Sequence, residues 1–140
     1  MKPEDTIDYH IRFAWLKIAK MYNQEAAPHG LTQSTGQILL NVDPRLGTPS
    51  TQLGPMMGME PTSLSRTLKS MEEKGWIIRV PDKNDKRVTR IQLTLEGNRL
   101  RLVSKTSVVR FNKKLLEGMS QEKLNHFKEV IQMIDENTVK

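Results

Sequence analysis

Leu64, Leu68 and Met71 recur at i, i+4 and i+7 inside Pro61 to Ile77, and this stripe constrains the chain more than any other feature. That spacing marks one face of an α-helix. Off the stripe lie Thr62, Ser63, Ser65, Arg66, Lys69 and Ser70, so over residues 62–70 the outer face is short hydroxyls and cations. Such a surface can enter a DNA major groove, because nothing on it blocks approach or repels phosphate. Upstream, Thr48 is placed to cap a short helix with Pro49 at its first position, running to a turn at Gly58-Met59-Glu60. Pro61 then opens the next helix, and Gly75 stops it. Ile77 to Val80 reads as a strand, Asp82 to Arg87 as a charged loop, and Val88 to Leu93 as a half-buried strand with Thr89, Ile91 and Leu93 on one face. Helix, tight turn, helix and a two-stranded hairpin together predict a winged helix-turn-helix.

The flanks are helical. Residues 7 to 27 carry Ile7, Ile11, Ala14, Trp15, Ile18, Ala19 and Tyr22 at helical spacing, and Tyr9, Phe13 and Leu16 widen the apolar surface. A helix with two apolar sectors is expected to be covered on two sides, once by its own domain and once by a second subunit. Pro28-His29-Gly30 ends it, and a second helix starts at Thr32 or at Ser34, the latter with Gln37 in capping-box position. Gly54-Pro55 falls inside the helix predicted from Pro49, where proline removes a hydrogen bond, so a bent or shortened helix is expected there. Thr94 and Ser120 are predicted caps of two closing helices. Their apolar positions, ending in Leu124, Phe127, Val130, Ile131 and Ile134, exceed what the winged unit can cover and predict pairing with another copy of the chain.

Leu64-Ser65-Arg66-Thr67-Leu68, Glu72-Glu73-Lys74-Gly75-Trp76-Ile77, Asp82-Lys83-Asn84-Asp85-Lys86-Arg87 and Leu93-Thr94-Leu95-Glu96-Gly97 resemble the matching segments of the multiple-antibiotic-resistance regulator (MarR) family of transcription factors. The resemblance runs over nearly the whole chain. It implies a mainly α (α+β) fold: one domain over residues 1–140, a winged helix-turn-helix at 31–94, and dimerisation helices at 5–28 and 95–138. It further implies a homodimeric, sequence-specific regulator that acts as a repressor on a palindromic operator in double-stranded DNA, released by a small aromatic or anionic effector.

The candidate DNA contacts are Thr62, Ser63, Ser65, Arg66 and Lys69 on the helix, and Lys83, Asp85, Lys86, Arg87 and Arg90 on the wing. By the resemblance, the arginine at Arg87 reaches into the minor groove while the aspartate at Asp85 holds it. A pre-oriented guanidinium entering a narrow groove loses less entropy, in agreement with that role. Asp82 is expected to fix the turn after Pro81. The chain departs from the family pattern at Asn84, commonly arginine, and at Gly54, usually alanine. Arg99, Arg101, Lys105, Arg110, Lys113 and Lys114 face only Glu96 over residues 95–114, and either extend the positive surface or form a solvated helix face. Tyr9, His10, Phe13, Trp15 and His29 are the candidate effector pocket; packed core or interface is the competing reading.

The formal net charge of +6 favours an anionic partner, with DNA ahead of RNA or an acidic membrane surface. Without cysteine there is no disulfide or thiol chemistry, and the eight methionines are read as packing residues. His10, His29 and His126 have no metal-ligand spacing, and neither a phosphate loop nor a nucleophile elbow occurs, so no enzyme, metal or cofactor is expected. The first residues form no apolar leader and no run approaches the roughly 18 to 20 apolar residues of a membrane span, so a cytoplasmic address is expected. Two other functions fit the same composition: a nonspecific architectural DNA binder, and a protein-interaction module on a winged fold.

Overall fold

The computed structural model describes residues 1–139. Six α-helices and three short strands follow in the order α1 (Ile7–Ala26), α2 (Gln33–Asn41), β1 (Thr48–Pro49), α3 (Ser50–Met57), α4 (Pro61–Glu73), β2 (Ile77–Pro81), β3 (Thr89–Leu93), α5 (Leu95–Glu117) and α6 (Gln121–Thr138). The chain forms two compact units, Met1–Ser107 and the remainder from Val108. The first is a winged helix-turn-helix preceded by α1; the second holds the end of α5 and all of α6.

The core lies wholly in the first unit. Ile38 and Leu39 of α2, Leu53 of α3, Leu68 and Met71 of α4, Ile77 of β2, Ile91 of β3 and Leu100 of α5 are fully buried together. The predicted stripe of α4 is therefore its inner face, with Leu64 also buried. The sheet is antiparallel in the order β1-β3-β2, with Ile77 opposite Leu93, Arg79 opposite Ile91 and Pro81 opposite Thr89. Alternation in β3 places Ile91 inward, as its pattern predicted.

Several boundaries differ from the sequence expectation. Thr48 and Pro49 do not open a helix: they form β1, with Thr48 opposite Ile91. The Thr48 hydroxyl accepts the Asp43 N–H at 2.9 Å, so it closes the preceding loop, and α3 begins at Ser50. The cap of α2 is Thr32, whose hydroxyl accepts the Thr35 N–H at 3.1 Å while Thr35 Oγ1 accepts the Thr32 N–H at 2.8 Å. This reciprocal pair displaces Ser34 with Gln37 and starts the helix two residues closer to the Gly30 break. Helix α1 ends at Ala26 in a short 3₁₀ turn, and Gly30 leaves it at φ 75°. Thr94 and Ser120 cap as expected, their hydroxyls accepting the N–H groups of Gly97 and Lys123.

Helix α3 spans eight residues with Pro55 inside it. Proline cannot donate to the turn before it, yet the segment stays helical to Met57, where Gly58 turns out at φ 61°. Gly54 is buried, and a Cβ there would lie 3.1 Å from the Met59 carbonyl oxygen. The glycine lets the turn between α3 and α4 close onto the helix, with the Met59 N–H donating to Gly54 O at 2.9 Å.

Candidate nucleic-acid interface

Helix α4 starts with Pro61, already fixed near helical φ, and ends where the Trp76 N–H returns to Met71 O at 3.0 Å around Gly75, at φ 78°. At about 100° per residue, Thr62, Ser65, Arg66 and Lys69 share an arc of about 100° opposite Leu64, Leu68 and Met71, and Ser63 lies at its edge. All five are exposed. Among the described residues neither Arg66 nor Lys69 has an ion-pair partner, so both cations face outward uncommitted. Thr67 belongs to the helix itself, its hydroxyl donating to Ser63 O at 2.9 Å.

The wing loop is built by two aspartates. Asp82 Oδ2 accepts the N–H groups of Asn84 and Asp85, both at 3.0 Å, and the Asp82 N–H donates to Val88 O at 2.9 Å. Asp82 thus fixes the turn, as expected. Asp85 takes Arg87 through both carboxylate oxygens: Nε donates to Oδ1 at 3.0 Å and Nη2 to Oδ2 at 3.2 Å. The Arg87 side chain is still 90% exposed. The Arg87 guanidinium, followed by its backbone N–H, holds the Asp85 carboxyl below the usual carboxylate range, and Arg87 is correspondingly raised. Held from one side and open on the other, this guanidinium is pre-aimed at solvent. Lys83, Lys86 and Asn84 are exposed beside it.

Arg90 stands apart from the other wing candidates. Its Nη2 and Nε donate to Asp82 Oδ1 at 2.7 and 2.9 Å, and its Nη1 to the carbonyls of Leu46 and Gly47 at 3.2 and 3.1 Å. The whole fork is engaged within the protein, because Arg90 sits at the base of β3 where the loop before β1 crosses it. The Arg90 side chain, then the Asn84 and Asp85 amides, lower the Asp82 pKa. The sequence placed Arg90 with the outward cations; the structure gives it the work of clasping the wing base to residues 46 and 47. Arg99, left between an extension of the positive surface and a solvated helix face, is paired with Glu96 at 2.6 Å. Sequence reasoning missed Arg79, 3.6 Å from Glu72 of α4.

Of the predicted effector residues, Tyr9, His10 and Phe13 meet and His29 does not join them. The Tyr9 ring packs on those of His10 and Phe13, with centroids 5.3 and 4.7 Å apart. His10 Nε2 also lies 2.8 Å from Glu4 O. Phe13 and Trp15 are about half exposed on α1. His29 lies beyond the other end of that helix, on the order of 25 Å from Tyr9 at 1.5 Å per residue, so within one chain it cannot share their pocket. No cluster of His, Asp or Glu suited to a metal ion occurs among the described residues, and none of their helices is long and apolar enough to cross a membrane.

The family model described as MarR family matches residues 31–89. Among solved structures, the S. aureus MepR–DNA complex superposes with a TM-score of 0.84 at 20% identity, covering 94% of this chain and 98% of that one. CouR from Rhodococcus jostii RHA1 bound to p-coumaroyl-CoA gives 0.80 at 22% identity, over 100% and 99%. The transcriptional repressor CouR bound to a 23-mer DNA duplex gives 0.78 at 21% identity, over 94% of each chain. At such identities these likenesses speak for the fold.

Proposed function

We propose that this chain, whose residues 31–89 match the MarR family model, is a sequence-specific DNA-binding transcription regulator and not an enzyme. The observation that carries this reading is the uncommitted polar face of α4 together with Arg87 braced outward by Asp85. Thr62, Ser63, Ser65, Arg66 and Lys69 enter the major groove, where Arg66 can take guanine O6 and N7. Arg87 enters the flanking minor groove, with Lys83 and Lys86 on phosphates. Arg90 leaves the contact set and positions the wing.

The protein acts as a homodimer. Neither α1 nor α6 has a buried residue in the single chain, although Ile7, Ile11, Phe13, Trp15 and Leu16 on α1 and Phe127, Val130, Ile131 and Met133 on α6 are large and exposed. A second copy covers such faces most simply, because each brings the same apolar surfaces. Residues 5–28 and 95–138 are then the dimer segments around a DNA-binding region at 31–94. Two recognition helices one helical turn apart, about 34 Å, read a palindromic site in cytoplasmic DNA. Bound there, the dimer represses by excluding RNA polymerase, and a small effector releases it. A structural relative is described as a transcriptional repressor bound to a DNA duplex, which supports this output.

Fluorescence anisotropy on genomic fragments at fixed salt tests the reading. A few fragments should bind at least a hundredfold more tightly than the rest, and Arg66→Ala should erase most of the difference. Equal affinity for every duplex, unaltered by Arg66→Ala, would replace this function with nonspecific packaging.

A further inference from the structure

Arg90 fastens the wing tip to the body of the first unit. Beyond the last strand pair, Pro81 opposite Thr89, two bonds close the tip on itself: the Asp82 N–H donates to Val88 O at 2.9 Å and the Val88 N–H to Asp85 O at 3.0 Å. Arg90 reaches outside that circle, joining Asp82 Oδ1 to the carbonyls of Leu46 and Gly47. The direction of those two carbonyls therefore governs where the tip sits.

Asp43 sets that direction. It closes the loop of residues 43–48 with its carboxylate, its carbonyl and its N–H alike. Oδ1 accepts the N–H groups of Arg45 and Leu46 at 2.8 and 2.9 Å, the Asp43 carbonyl accepts the Gly47 N–H at 2.9 Å, and the Asp43 N–H donates to Thr48 Oγ1 at 2.9 Å. The Leu46 amide, then the Arg45 amide, hold the Asp43 carboxyl below the usual carboxylate range. Together these bonds turn the Leu46 and Gly47 carbonyls onto one guanidinium nitrogen, Arg90 Nη1. Gly47 lies directly on β3 at φ 72°, and a Cβ there would sit 2.6 Å from Ile91 O and 3.2 Å from Arg90 Cγ. The loop has no room to slide.

We infer that Asp43 is a positioning residue for DNA recognition, acting on Arg87 through a continuous line of hydrogen bonds. The line runs from Asp43 Oδ1 to the Leu46 amide, and from the Leu46 and Gly47 carbonyls to Arg90 Nη1. Arg90 Nε and Nη2 pass it to Asp82 Oδ1, Asp82 Oδ2 to the Asn84 and Asp85 amides, and the Asp85 carboxylate to Arg87. No link involves α4. A guanidinium held in advance loses less freedom on entering a narrow groove, so a fault at the Asp43 end costs minor-groove selectivity and spares major-groove reading. That consequence rests on the DNA-binding reading; the line itself does not.

The test reads the full-length chain with and without DNA. In the free protein, ¹⁵N spectra follow the arginine Nε–H signals. Asp43→Ala should move those of both Arg90 and Arg87, and Asp43→Asn, which keeps the accepting oxygen, should return both to the parent positions. The signal of the buried Trp76 ring should stay in place in each variant, showing an intact core. With DNA, the affinity ratio between duplexes with A·T-rich and G·C-rich flanks should fall by about threefold or more in Asp43→Ala, while the ratio between the preferred duplex and one with a scrambled half-site core stays within about twofold. Asp43→Asn should keep both ratios. Thr48→Val, an isosteric change that removes the acceptor of the Asp43 N–H, should act in the same direction as Asp43→Ala and replaces it if that variant does not fold. An Arg87 signal unmoved by Asp43→Ala, an asparagine that fails to rescue, or core and flank ratios falling together would overturn the positioning role. A chain that selects no duplex defeats the regulator reading instead, and the Arg87 signal then decides the line by itself.

Discussion

Replacing Gly97 by alanine should destabilise the winged unit by about 2 to 4 kcal/mol. Gly97 lies in the first turn of α5, against the backbone of Trp76 between α4 and β2. A Cβ built there overlaps the Trp76 carbonyl oxygen and sits 3.1 Å from its carbon and 3.5 Å from Leu93 Cβ. The obstruction is backbone, so no rotamer relieves it. That carbonyl accepts the Thr94 N–H at 3.1 Å, and the Thr94 hydroxyl, which caps α5, donates to the adjoining Gly75 carbonyl at 2.7 Å. Overpacking costs about 1 to 3 kcal/mol, and weakening two neutral hydrogen bonds adds about 1 kcal/mol each. Alanine returns at most about 1 kcal/mol through helix propensity. Urea unfolding at matched protein concentration measures the balance, with an unchanged m-value showing that the denatured state is not responsible. Gly118→Ala is the control, because the nearest atom to its Cβ is Leu115 O at 3.9 Å and its φ is not positive. A Gly97→Ala variant within about 0.5 kcal/mol of the parent, inside the range of neutral surface changes, would refute the claim that this crossing is closed by backbone contact.

Three further outcomes follow from the wing and the helices. Arg87→Ala should weaken DNA binding and reduce the slope of log affinity against log salt by about one ion, whereas Arg90→Ala should weaken binding with the slope retained; equal slope changes would put Arg90 on the DNA. Asp82 and Asp85 have lowered pKa values, so their contribution is present above the unfolded-state value, about 3.9, and is lost as pH falls through the folded ones. The Asn84 amide and Arg87 Nε signals should therefore stay flat from neutral pH down to about 5 and move only below about 4; a transition above pH 5 would contradict the two hydrogen-bonded carboxylates. Phe127→Asp should dissociate the dimer by on the order of a hundredfold, about 3 kcal/mol, in sedimentation equilibrium, and no change in mass would place the interface elsewhere.

Local chemistry made much of this fold legible. The Leu64, Leu68 and Met71 stripe, the Thr94 and Ser120 caps, the Gly75 stop and the Ile91 alternation depend on residues within a few positions of each other, and each appears as read. What stayed hidden depends on distant pairs. Strand β1 is two residues long and exists only because Thr48 meets Ile91, so the Thr-Pro start of a helix was the better local reading. Arg90 looks like any wing cation until residues 46 and 47 are brought beneath it.

Selection of bound duplexes from a random library by the full-length protein tests the central claim most directly. The account predicts a palindromic consensus whose half-site centres lie about 10 base pairs apart, flanked by A·T-rich steps where Arg87 enters, with Arg66→Ala relaxing the half-site core and Arg87→Ala only the flanks. Bound pools that keep the composition of the starting library, or a consensus untouched by Arg66→Ala, would contradict it.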